Sequence, residues 1–217
     1  MKKILYIVFL FSSGFLIGQE TPAKSSSKNI LLLGGTAHLG NGEVIKRSAI
    51  AINNGKITLV ENALVKTIDT TRFDQVISIK GMHVYPGFIA CNSTIGLMDV
   101  EAVRATRDFN EVGIFNPNVR SIIAYNTDSK ITPTVRSNGV LMGQICPKGG
   151  TISGSSSVVH FDAWNWEDAV IKMDEGIHLN WPNYKNSTTS PSGSSPYQKS
   201  KKSIYSFFSN AKAYNSV

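Results

Sequence analysis

Cysteine is nearly missing from this chain: only Cys91 and Cys146 occur among its 217 residues, and neither belongs to a C-x-x-C pair. That excludes a disulfide-built scaffold and a thiolate metal site. It leaves one disulfide in an oxidising compartment or, the preferred reading, two small apolar side chains buried in a core. Histidine is equally sparse. His38, His83, His160 and His178 show none of the H-x-H, H-E-x-x-H or finger-like spacings that gather imidazoles around one ion. Charged residues make up 17% of the chain, and the net charge of +7 is unevenly placed. Lys2 and Lys3 open the sequence, and Lys185, Lys199, Lys201, Lys202 and Lys212 lie in its last 33 residues, where no acid occurs. The other 15 basic residues match the 15 acidic ones, so the interior is neutral and lacks the basic face that nucleic acid requires. No nucleic-acid partner is expected.

The apolar run from Ile4 to Ile17 falls short of the ~20 residues that span a bilayer. Preceded by two lysines and followed by polar residues, it has the form of a secretory signal. Residues 1–19 are therefore read as a signal peptide and residues 20–28 as a flexible leader. The protein is expected to be exported, periplasmic or extracellular, and to meet the membrane only through that segment before cleavage. With 41% hydrophobic and 9% aromatic residues, the remainder has the composition of a globular domain.

From Asn29 onward, runs rich in Ile, Leu and Val are punctuated by Gly34-Gly35, Asn41-Gly42 and Asn53-Asn54-Gly55. Short strands joined by Asn-Gly turns read as antiparallel hairpins, so residues 29–80 are expected to form a small β-sandwich or sheet. Gly34 to Gly40 imitates a dinucleotide-binding turn, but no helix follows it, and nucleotide binding is set aside. After the turn at Pro86-Gly87, the consecutive apolar residues Phe88, Ile89, Ala90 and Cys91 predict a strand buried on both faces, the first of a parallel sheet or barrel. Met98 to Arg107 is compatible with a helix. Asn116 and Pro117 predict another, ending near Asn126, with Val119, Ile122 and Ile123 on one stripe. Val140 to Ile145 reads as a second buried strand and Val158 to Phe161 as a third, short one. Trp164, Trp166 and Trp181 are expected to pack together as core. A low-complexity loop is assigned to residues 186–203, densest from Asn186 to Ser195, and a helix beyond it places Ile204, Phe207, Phe208 and Ala211 on one face.

Two sets of residues stand out as candidates for a site. Arg104, Arg107, Asp108, Asn110 and Glu111 follow the first barrel-like strand, on the side where barrel enzymes bind substrate. They read either as substrate contacts or a lid, or as an internally salt-bridged loop. Pro147 to Ser157, with Gly149 and Gly150, reads either as an anion-binding nest or as a plain flexible connection.

The turn Asn53-Asn54-Gly55-Lys56-Ile57, followed by Lys80-Gly81-Met82-His83-Val84-Tyr85-Pro86-Gly87-Phe88-Ile89, resembles the amidohydrolase superfamily, in particular its exported imidazolonepropionase-like branch. Segments at Arg107 to Glu111, Asn116-Pro117 and Gly149 to Gly154 are also similar. The resemblance implies a mixed α/β chain: a small N-terminal β-sandwich at residues 29–80, then the first part of an incomplete (β/α)8 TIM-type barrel at residues 81–217. It also implies hydrolysis of non-peptide C–N bonds of a small molecule, with zinc, iron or manganese in a complete protein. The family's D-x-H-x-H motif is replaced. Ala90 stands at the aspartate, and Asn92 and Thr94 stand at the two histidines, so no metal is supported by this chain's residues. No catalytic residue is assigned. A whole barrel of this kind takes about 250 residues. The chain is accordingly read as the N-terminal portion of a longer protein, inactive alone, with a metal-free binding or scaffold domain at the cell envelope as the alternative. Arg107, Asp108, Asn110, Glu111, Gly149 and Gly150 are the expected substrate contacts.

Overall fold

The structure is a computed structural model that describes residues 22–24, 26–184 and 195–216. The expected signal peptide and most of the 186–195 loop lie outside the described residues. No described helix is long and apolar enough to cross a membrane. The fold is mixed α/β, dominated by two sheets.

The first sheet has five strands: β1 (Ile30–His38), β2 (Val44–Asn53), β3 (Lys56–Asn62), β4 (Gln75–Ser78) and β5 (His83–Val84), in the order β3-β2-β1-β4 with β5 also on β1. β1–β2 and β2–β3 are antiparallel, as the Asn-Gly turns predict, whereas β4 and β5 run parallel to β1. Asn54 and Gly55 both take positive φ, 49° and 72°, as a two-residue turn matching the twist of its strands requires. Leu31, Ala49 and Ala51 form a small core, with Leu33, Leu59 and Phe73 packed on it. The Gly34-Gly35 pair lies inside β1. A Cβ on Gly35 would stand 2.7 Å from Ile79 Cδ1 and 2.9 Å from its carbonyl oxygen, so this glycine serves close packing.

The second sheet has four strands: β6 (Phe88–Ser93), β7 (Val140–Ile145), β8 (Ile152–His160) and β9 (Val170–Leu179), in chain order across the sheet. β6 and β7 are parallel; β7–β8 and β8–β9 are antiparallel. Leu97, Ile122, Tyr125, Ile145, Val159, Phe161 and Ala169 form the larger core. Three α-helices are described: α1 (Ile131–Ser137), α2 (Trp166–Ala169) and α3 (Pro196–Asn215).

Several expectations are corrected here. β6 is not buried on both faces: among the described residues it pairs only with β7, at the edge of the sheet, and Phe88 and Ile89 are 66% and 52% exposed. β8 is longer than Val158–Phe161 and begins at Ile152, so the flexible connection expected after Gly150 is largely strand, with Ser153, Ser156 and Ser157 buried. The helix expected from Pro117 shrinks to one 3-10 turn, Ser121–Ala124, with Ile122 buried and Ile123 exposed. The cause is competition for backbone groups: Asn116 N–H donates to Ile152 O at 2.9 Å and Ser155 N–H to Val119 O at 2.8 Å, holding the segment extended beside β8. Met98 to Arg107 likewise holds only a 3-10 turn at Arg104–Thr106. Trp166 packs on the larger core, but Trp164 and Trp181 are exposed. Residues 196–203 are the first turns of α3 and not loop. On that helix Ile204 is buried, while Phe208 and Ala211 face solvent. Both cysteines are free, and only Cys146 is buried; Cys91 is exposed on β6.

Candidate functional site

The parallel pair β6–β7 ends in a polar cluster. Asn92 takes φ 50°, and a bulge between Ala90 and Ser93 interrupts the ladder with β7 there. The strict alternation of side chains along β6 is therefore interrupted between Ala90 and Ser93. Cys91 and Asn92 are consecutive and both exposed, while Ser93 and Thr94 are half-buried. The bulge is held by partners from β7 and the turn after it. Asn92 N–H donates to Gln144 Oε1 at 3.0 Å, and the Lys148 ammonium donates to Asn92 O at 3.2 Å and also to Asn92 Oδ1. The oxygen at the position where the resemblance implies an imidazole thus accepts from a lysine ammonium. A divalent ion there would have to displace it against like charge, so the residues present do not fit a metal. Among the described residues no group of three or more His, Cys, Asp or Glu side chains converges as a metal site would.

Behind Gln144 the network runs into β8 and β9. Gln144 Nε2 donates to Glu175 Oε1, and Ser156 Oγ donates to the same oxygen at 2.8 Å. These two bonds, Gln144 first, hold the Glu175 carboxyl below the usual carboxylate range. His178 Nε2 lies 2.7 Å from Ser156 Oγ. A hydroxyl has one proton, and here it points at the carboxylate, so His178 is assigned as the donor in that contact. Ser156 is fully buried and hands its proton to an acid, which is the opposite of a nucleophile activated by a base. Burial pushes the neighbouring Cys146 thiol up in pKa, an effect the Lys148 charge partly offsets. Immediately before Glu175 on β9, Asp174 accepts from Arg120 Nη2 at 2.7 Å and from Ser155 Oγ at 2.9 Å, which lowers its pKa, Arg120 contributing most.

The loop residues gather beside this cluster. Lys148 N–H donates to Phe109 O at 2.6 Å and Asn110 bridges to Lys148, so the chain after strand β6 meets the chain after β7. Arg107, Asn110 and Glu111 line one cleft of about 580 Å³, and Asp108, Asn110 and Glu111 line another of about 470 Å³. Among the described residues no ion pair joins Arg104 or Arg107 to Asp108 or Glu111, so the internally salt-bridged loop is not what forms. Gly149 lies against Asn110, and a Cβ on Gly150 would stand 2.9 Å from Ile114 O, so both glycines serve the contact between the two loops. Gln144 and Glu175 carried no signal in the sequence, whereas Lys148 and Ser156 lie inside the Pro147 to Ser157 segment and His178 is one of the four scattered histidines. Lys148 and Asn92 are 56 positions apart, and only the strand pairing brings them together.

No protein-family profile matches the chain, and no curated protein does. Among solved structures it is similar to an amidohydrolase from Thermotoga maritima MSB8, with a TM-score of 0.72 and 22% identity over 86% of this chain and 48% of that one. The chain spans about half the length of that protein, and the likeness is one of fold. A prolidase complexed with N-methylphosphonate-L-proline matches 53% of the chain at 20% identity with a TM-score of 0.35, too low to carry an argument.

Proposed function

We propose that this chain is an N-terminal portion of an exported protein built on the amidohydrolase plan, and that the end of its β6–β7 pair is a metal-free binding site. On this reading residues 29–80 belong to the small β-sandwich, and residues 81–217 to the opening part of a (β/α)8 barrel. The observation that carries it is the Lys148 ammonium on Asn92 Oδ1 and O, where the resemblance puts imidazole. Lysine supplies a positive charge without ligand geometry. It suits a small anionic or carbonyl-bearing ligand, with Arg107, Asp108, Asn110, Glu111, Gly149 and Gly150 as the adjoining contacts.

A second reading is favoured by the fold shared with the T. maritima amidohydrolase: the complete protein hydrolyses a non-peptide C–N bond, using residues from the half that this chain does not span. Metal analysis of the protein made from its complete reading frame separates the two. The metal-free reading expects no retained zinc, iron or manganese after dialysis, no hydrolysis of amides or cyclic amides, and unchanged metal content in Lys148→Met. Stoichiometric metal together with turnover overturns it and establishes the hydrolase.

A further inference from the structure

Helix α3 carries charge of one sign. After Glu175 the chain contains no acidic residue, while Lys199, Lys201, Lys202 and Lys212 all lie on this helix. Since the interior of the chain is neutral, the helix holds the excess positive charge of the described residues. Its packing is one-sided. Ile204 is buried, Phe207 stacks on Phe115 with ring centroids 4.7 Å apart and planes within 5°, and Tyr197 meets Tyr184 edge-on. A second stripe runs alongside these anchors, with Phe208 edge-on to Phe207 at 5.8 Å between ring centroids: Lys201, Tyr205, Phe208 and Lys212, at spacings of four, three and four residues, which bring side chains onto one line of a helix. Tyr205 is 58% exposed and Phe208 50%, and the Lys201 ammonium sits 5.8 Å from the Tyr205 ring centroid.

We infer that this stripe docks on an anionic phospholipid surface. Two exposed aromatic rings flanked by lysines, along about 16 Å of helix, match the chemistry of an interfacial helix. The rings enter the headgroup layer while the ammonium groups rise on their alkyl stems to the phosphates. The stripe is convex and its cations are lysines held well apart, without the charged groove that tracks a nucleic-acid strand. A packed protein partner would demand a complementary acidic face of fixed shape, whereas a bilayer accepts any convex face of this charge. The inference goes beyond the proposed binding site and does not depend on it. It also departs from the expectation that only the N-terminal segment meets a membrane.

The test is flotation of the full chain with phosphatidylcholine vesicles, with and without about one-third phosphatidylglycerol, at low and at ~0.5 M salt. The N-terminal apolar run is present in every variant, so differences report the helix. Wild type is expected to float with the anionic vesicles far more than with the neutral ones, and to be released by salt. Lys201→Gln with Lys212→Gln lowers the partition about tenfold, Phe208→Ser lowers it to a similar degree, and Lys201→Arg with Lys212→Arg retains it. Phe208 and Lys212 are exposed and Lys201 is half-buried, and far-ultraviolet dichroism checks that the helix persists. Equal flotation of wild type and the glutamine variant overturns the inference. So does loss in the glutamine variant with Phe208→Ser unaffected, which is mere adhesion of a cation. Displacement by an oligothymidylate, or a lipid-independent dimer abolished by Phe208→Ser, overturns it in favour of a nucleic acid or a second copy.

Discussion

The two sheets hold themselves together by different means. The first is local: β1, β2 and β3 follow one another through short turns, and three residues, Leu31, Ala49 and Ala51, make its buried centre. The second is assembled across long gaps. β6 finds β7 after a connection of more than forty residues, and its core draws on that connection at Leu97, Ile122 and Tyr125 as well as on the strands. It also buries a polar layer that the first sheet does not match: Ser153, Ser155, Ser156 and Ser157 lie in one strand, and the hydroxyls of Ser153, Ser155 and Ser156 each donate a hydrogen bond. A nearby hairpin pattern is enough for the first sheet. The second depends on contacts and hydrogen bonds that exist only once it is complete.

Truncating each core gives the sharpest test of that contrast. Phe161→Ala is expected to lower the unfolding free energy by about 3–5 kcal/mol, and Leu31→Ala by about 2–5 kcal/mol. Urea titrations followed by tryptophan fluorescence report the second sheet, since Trp166 begins α2 and packs on the larger core and all three tryptophans lie outside the first sheet. If Leu31→Ala leaves that fluorescence transition unmoved, the sheets unfold independently; a shared shift makes them one cooperative unit. Next in size is Gly154→Ala in β8. Gly154 has φ 130°, and a Cβ would stand 2.5 Å from Val119 O, so backbone must move, at about 1–3 kcal/mol by the same titration. In the first sheet the corresponding change, Asn54→Ala at φ 49°, meets no such wall and is expected to cost only ~1 kcal/mol, from the left-handed conformation alone.

The smallest effect is acid sensitivity, and in the second sheet two adjacent carboxylates carry it. Asp174 and Glu175 titrate below their unfolded values, so near pH 4 the unfolded chain binds more protons than the folded one. The stabilisation is complete above the unfolded carboxylate values of about 3.9 and 4.3, and is lost as pH falls through the depressed folded ones. Urea midpoints should drop between pH 6 and pH 3.5. Ser156→Ala, by removing one donor to Glu175, should flatten that drop.

The sequence was most informative where structure is local. The Asn54-Gly55 turn and the bounds of β7, Val140 to Ile145, are as the residues predict. It misled at Pro117 to Asn126, where a good helical pattern lost to backbone bonds with β8, and at Phe88 to Cys91, where an apolar run lies at an open edge. β9 gave no signal, because the run Asp174-Glu175-Gly176 interrupts the alternation that marks a strand, at the point where Asp174 takes φ 47°. The candidate site divides the same way. Asn92, Thr94 and the Arg107 to Glu111 segment stand out by position, whereas Lys148, Gln144 and Glu175 are ordinary polar residues until three strands bring them side by side.

The kink at Asn92 also sets how β6 behaves toward other chains. An uncovered apolar edge invites a foreign strand to extend the ladder, and Phe88 and Ile89 make this edge adhesive. By turning the backbone aside at Asn92, with Lys148 clasped across it, the protein shortens the templating stretch to the four residues from Phe88 to Cys91. That is brief enough to discourage fibril-like stacking while leaving the edge free to accept a legitimate neighbour.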